Sequence, residues 1–72
     1  MMNDLRLRDM HGSEWKVIAE APFDDDLELA VIEDEEIHRL AARCRRAPLG
    51  WIDATTGRRI EVHPTHWRYW LS

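Results

Sequence analysis

From Trp15 the chain alternates apolar and polar positions, with Trp15, Val17 and Ala19 interleaved with Lys16, Ile18 and Glu20. A period of two puts successive side chains on opposite faces, so this stretch predicts a strand, ended by Pro22, which has no ladder donor. Leu27 to Ile32 predicts a second strand, with Leu27, Leu29 and Val31 on one face and Ala30 and Ile32 on the other. The hairpin signal is stronger still. Gly50-Trp51-Ile52-Asp53 and Arg58-Arg59-Ile60-Glu61-Val62 flank Ala54-Thr55-Thr56-Gly57. There Asp53 is placed to accept bonds from the turn's amides, and Gly57 to supply the left-handed residue such a loop needs. His63-Pro64 ends that strand. Thr65 to Leu71 is then expected to fold back as a turn or one helical coil that lays Trp67 and Trp70 on the sheet.

The stretch between these strands obeys two periods at once. Glu33-Asp34-Glu35-Glu36 ahead of Ile37-His38-Arg39-Leu40-Ala41-Ala42-Arg43-Cys44-Arg45-Arg46 reads as a helix start, with Asp34 as N-cap, arginines in the last turn and Pro48 beyond it. Ile37, Leu40, Ala41 and Cys44 recur at helical spacing. The same residues also read as an acidic turn followed by a strand from about His38 to Arg45. In that strand His38, Leu40, Ala42 and Cys44 share one face, and Arg39, Ala41, Arg43 and Arg45 the other.

The pattern as a whole predicts a mainly β domain: a small twisted antiparallel sheet of about four strands closed by an aromatic C-terminal tail. The alternative is α+β, with a helix near residues 35–46. Residues 1–12 carry mixed charge without sustained periodicity and are expected to form a flexible N-terminal arm, with Leu5 and Leu7 a short strand if it docks. Residues 13–72 are expected to form one globular domain. A chain of 72 residues buries only about 60% of the surface its unfolded form exposes, so a few large side chains must supply the core. The four tryptophans suit that role, each burying about 150 to 250 Å². Oligomerisation is the other way to support a thin core.

Charge changes the picture. Residues 1–36 hold twelve acids and three bases, and residues 37–72 two acids and seven bases, so a net charge of −4 conceals two oppositely charged halves. The single cysteine, Cys44, has no partner for an internal disulfide, and neither a signal-peptide pattern nor a long apolar run is present. The expectation is a cytoplasmic protein with no membrane span.

Candidate chemistry is sparse. Phe23-Asp24-Asp25-Asp26 lacks the glycine and later glutamate of a calcium loop and reads as a solvated turn. His63-x-x-His66, with His38 and Cys44 elsewhere, is the one metal-like set, but zinc wants four converging ligands and neighbouring pairs. The expectation is no metal, with His66 bonded instead to backbone or to Thr65 so that Trp67 packs. A Cys44 nucleophile would need one of the histidines as base and Asp53 as orienter, and no local signature supports that set. Phosphate-loop, zinc-protease and serine-hydrolase motifs are missing. No catalytic residue, cofactor or enzymatic activity is therefore expected.

Two short motifs carry a resemblance. Trp15-Lys16-Val17-Ile18-Ala19-Glu20-Ala21-Pro22 and Pro64-Thr65-His66-Trp67 resemble the Trp-x-x-Ile-x-x-Ala-Pro opening and Pro-Thr-His-Trp closing of small proteins of bacteria and their phages, a family with no assigned activity. The likeness spans about residues 14–70. It implies a bacterial or phage origin and favours strand over helix at residues 38–46, where this chain departs from the family's more β-branched pattern with Leu40-Ala41-Ala42. No functional residue follows from it.

What remains is a binding function. Arg45, Arg46, Arg58, Arg59, Arg68, Tyr69 and Trp70 form the expected contact surface, because arginine and aromatic side chains dominate binding hot spots. The expected role is a non-enzymatic interaction or accessory module for a protein partner. The alternative is nucleic-acid binding through the same arginine and aromatic residues.

Overall fold

Leu27–Glu33 is the longest strand in the computed structural model, which describes residues 15–71, and the sheet is organised around it. Taken in chain order, the strands are β1 (Lys16–Val17), β2 (Leu27–Glu33), β3 (Glu36–Arg39), β4 (Cys44–Ala47), β5 (Gly50–Asp53), β6 (Arg59–Ile60) and β7 (His66–Tyr69). A 3-10 turn at Ile18–Glu20 follows β1. The sheet order is β1-β7-β2-β4-β5-β6, with β3 also paired to β2, and every strand pair is antiparallel. The expected arm, Met1 to Gly12, lies outside the described residues.

The mainly β reading holds, with seven short strands where about four were expected. Residues 35–46 form no helix. Asp34 and Glu35 take positive φ angles of 49° and 69°, so the acidic run makes a two-residue hairpin turn rather than a helix cap, and Glu33 pairs with Glu36. Beyond it β3 and β4 lie along the same side of β2, through Ala30↔Arg39 and Leu27↔Cys44, with the ladder interrupted at residues 40–43. The Leu40 N–H still donates to the Leu29 carbonyl at 2.9 Å. Local periodicity left this segment undecided; pairing with the apolar β2 settles it.

Two further expectations are corrected. The first strand stops at Val17 instead of reaching Ala19: after one further bond, from the Ile18 N–H to the Thr65 carbonyl, the Ile18 carbonyl accepts the Ala21 N–H at 3.1 Å in the 3-10 turn, and Ile18 packs on the core. The C-terminal tail is neither a turn nor a helical coil, and it does not close the sheet. Its residues 66–69 form β7, set between β1 and β2 through Val17↔His66 and Leu29↔Trp67.

Alternation along these registers sorts the side chains onto two faces. Leu27, Leu29, Cys44, Trp51, Ile60 and Trp67 point to one face, where Ala21, Leu27, Leu29, Cys44 and Trp67 form the buried cluster, with Ile18, Leu40, Ala42 and Val62 packed against it. Leu27 and Leu29 are essentially inaccessible. Burial of each stabilises the fold by about 1.5 to 3 kcal/mol. The hairpin loop matches its sequence signal. Asp53 Oδ1 accepts from the Thr55 and Thr56 amides at 2.7 and 3.2 Å, and Gly57 holds a φ of 77°.

Candidate functional site

The opposite face mixes apolar side chains, Val17, Ile32, Ile37 and Ile52, with two clusters of ion pairs. Glu28, on β2, lies across from Arg68 of β7, whose Nε donates to Glu28 Oε1 at 2.8 Å, while Arg39 of β3 stands 3.6 Å from Oε2. Asp26, just before β2, repeats the arrangement. Arg45 Nε donates to its Oδ1 at 2.6 Å and Arg43 lies 3.7 Å from its Oδ2. Each carboxylate therefore holds two guanidinium groups, one closely and one loosely. Arg45 is held charged even more firmly than usual, first by its hydrogen bond to Asp26 and then by the charge of that carboxylate. Arg43 Nε is buried without a hydrogen-bond partner.

Tryptophans border this array. The Arg68 guanidinium stacks 4.2 Å over the Trp15 ring. Trp70, half-buried, is fixed by its backbone N–H donating to the Asp26 carbonyl at 3.1 Å. It lines two hollows. One, of about 250 Å³, is shared with Glu28, Arg39, Arg68 and Leu71; the other, of about 500 Å³, with Ala41, Ala42, Arg43, Asp53, Thr55 and Thr56.

The seven residues expected to form the contact surface divide between the faces. Arg45, Arg59, Arg68 and Trp70 belong to the charged face. Arg46 and Tyr69 belong to the apolar one: Tyr69 meets Trp67 edge-on at 5.0 Å, and Arg46 donates to the Ala21 carbonyl at 2.7 Å and stacks 4.6 Å over Phe23. Arg46 thus ties residues 19–23 to the sheet. Arg58 lies in the exposed hairpin loop, whereas Arg59 lies across Gly50, its Nε 3.6 Å from where a Cβ would stand. Arg39, Arg43 and Trp15 complete the charged face and were not among the seven. The strand reading of residues 38–45 contains the signal for two of them, since it aligns Arg39, Arg43 and Arg45 on one side.

The nucleophile and metal residues are placed differently. Cys44 is fully buried and its thiol pKa is pushed up to about 11, by desolvation and then by the charge of Asp53, its cross-strand neighbour. A thiol held neutral in this way is a poor nucleophile. His66 Nδ1 lies 2.8 Å from Thr65 Oγ1, which accepts the Ile32 N–H at 2.9 Å, while His38 and His63 are exposed. Among the described residues no group of three or more His, Cys, Asp or Glu side chains is placed to hold a metal ion. None of the described helical segments is long and apolar enough to cross a membrane.

The chain matches no known family model, no curated protein and no solved structure.

Proposed function

We propose that this protein is a non-enzymatic interaction module whose docking surface is the charged sheet face around Trp70. The observation that carries this reading is the segregation of the sheet. One face is consumed by the core, and the other offers Arg39, Arg43, Arg45, Arg59 and Arg68 beside Trp15 and Trp70, without a lysine. Arginine and tryptophan are the residues enriched in binding hot spots, where a planar guanidinium donates several bonds at small cost in ordering. The paired carboxylates hold the guanidinium groups in position before a partner arrives, which lowers the entropy lost on binding.

The test is an amide-resolved NMR titration of the labelled protein with two probes, an octanucleotide and an aspartate-rich decapeptide. The reading predicts that at least one probe shifts the amides of residues 28, 39, 43, 68 and 70 in a saturable way. Silence with both probes, or shifts confined to the apolar face, overturns it. A protein partner is the second reading, favoured by Asp26 and Glu28, which temper the positive charge of the face and suit a partner that carries both signs.

A further inference from the structure

Resting on that reading, we propose that the two hollows meeting at Trp70 form a short track for single-stranded nucleic acid. Bases stack against the Trp70 indole, and phosphates meet Arg39 and Arg43. Apart from Trp70, Leu71 and two alanines, the walls of the hollows are polar, so they provide no apolar socket for the leucine or phenylalanine anchor of a protein partner. A more apolar hollow, lined by Leu29, Ala30, Val31, His38, Arg39, Leu40, Val62 and Pro64, adjoins the track at Arg39 but does not reach Trp70. A nucleobase, with a π-face and polar edges, fits a hollow lined by one indole and by Asp53, Thr55 and Thr56.

Charge points the same way. The five arginines of this face, Arg39, Arg43, Arg45, Arg59 and Arg68, are balanced overall by Asp24, Asp25, Asp26, Glu28 and Glu61, but the two hollows themselves are lined by Arg39, Arg43 and Arg68 against Glu28 and Asp53. Arg68 and Arg45 are bound closely by carboxylates. Arg39 and Arg43 line the hollows at Trp70 and hold their carboxylates more loosely, at 3.6 and 3.7 Å, with Arg39's side chain 60% exposed, so of the arginines lining the track these two are the ones a phosphate would meet. The carboxylates nearest the track are already occupied: Glu28 by two arginines, and Asp53 by the loop amides. Asp24 and Asp25 are exposed next to Arg45 and the Glu33-to-Glu36 turn is exposed at the end of the β2–β3 hairpin. These acids oppose a broad duplex more than a narrow single strand lying at Trp70. Stacking on aromatics combined with a few phosphate contacts is the general mode by which single strands are held.

The experiment is fluorescence anisotropy with labelled octathymidylate and octauridylate at 50 and 200 mM salt, for the wild type, Trp70→Ala and Arg39→Gln. Two phosphate contacts on a single strand give a salt slope near −1.4, which is about a sevenfold loss of affinity over that range. Trp70→Ala should weaken binding at least about fivefold, as the loss of one stacking partner does. Arg39→Gln changes an exposed side chain, leaves the fold intact and should halve the slope. Binding by both variants that equals the wild type overturns the proposal. So does oligonucleotide binding that ignores salt. If neither oligonucleotide binds while the acidic peptide still shifts the residues around Trp70, the nucleic-acid assignment fails and the interaction face stands; if both probes are silent, both fail.

Discussion

Trp67 Nε1 donates to the Val17 carbonyl at 3.1 Å, a bond between residues fifty positions apart that ties the first described strand to the last. The same indole is 97% buried and is covered edge-on by Tyr69, so its contribution divides into packing and one hydrogen bond. Trp67→Ala should lower stability by about 3 to 5 kcal/mol, enough to unfold much of a domain this small. Trp67→Phe keeps most of the packing but leaves the carbonyl unpaired and should cost less than the alanine variant. Urea denaturation of both variants measures the difference.

Thr65 supplies the second tie across the molecule. Its hydroxyl oxygen accepts the Ile32 N–H, and its own N–H donates to the Ala30 carbonyl. Thr65→Val preserves shape but orphans the Ile32 amide, a loss of about 1 to 3 kcal/mol. Thr65→Ser should recover most of it. Equal stability of the valine and serine variants would contradict the role given to this hydroxyl.

The β2–β3 turn is a site where stability can be gained. Asp34 and Glu35 both hold positive φ, a conformation that suits Asn-Gly and strains glutamate. Replacing them through Asp34→Asn and Glu35→Gly should raise stability by about 1 kcal/mol, read as a higher urea midpoint with an unchanged slope. Gly57→Ala, at a φ of 77° in open space, should do the reverse by about 1 to 2 kcal/mol.

Cys44 gives a pH dependence with a defined sign. Its thiol titrates near 9.0 when exposed and near 11 when folded, so between those values the unfolded chain loses the proton first. Stability contributed by the neutral buried thiol is complete below pH 9 and falls as pH rises toward 11, by at most about 1.4 kcal/mol per unit. Cys44→Ala should show a shallower decline over that window. At pH 8 the native thiol should react with a disulfide reagent only as fast as the protein opens.

These residues also show how far the sequence could be read. The β5–β6 hairpin was legible because its determinants, Asp53 and Gly57, lie within the loop they shape. β2 was legible as a short apolar run. The β3–β4 segment was not, since Ile37, Leu40, Ala41 and Cys44 satisfy a helix while Leu40, Ala42 and Cys44 satisfy a strand; only the register with β2 separates them. The tail failed for a related reason. Nothing local to His66-Trp67-Arg68-Tyr69 reveals that it enters the sheet between β1 and β2, because those partners come from the other end of the chain. The faces of the candidate contact residues were partly legible: the strand reading of residues 38–45 aligned Arg39, Arg43 and Arg45, but the separation of Arg46 and Tyr69 onto the core side required the register.

The most direct test of a two-faced sheet follows the four indole N–H resonances while octathymidylate is added to the labelled protein. Trp70 should move first and furthest, with Trp15 moving through its stacked partner Arg68, while Trp67 and Trp51 stay in place. Movement of Trp51 ahead of Trp70, or of Trp67 at any concentration that leaves the protein folded, would put the ligand on the apolar side and contradict the account.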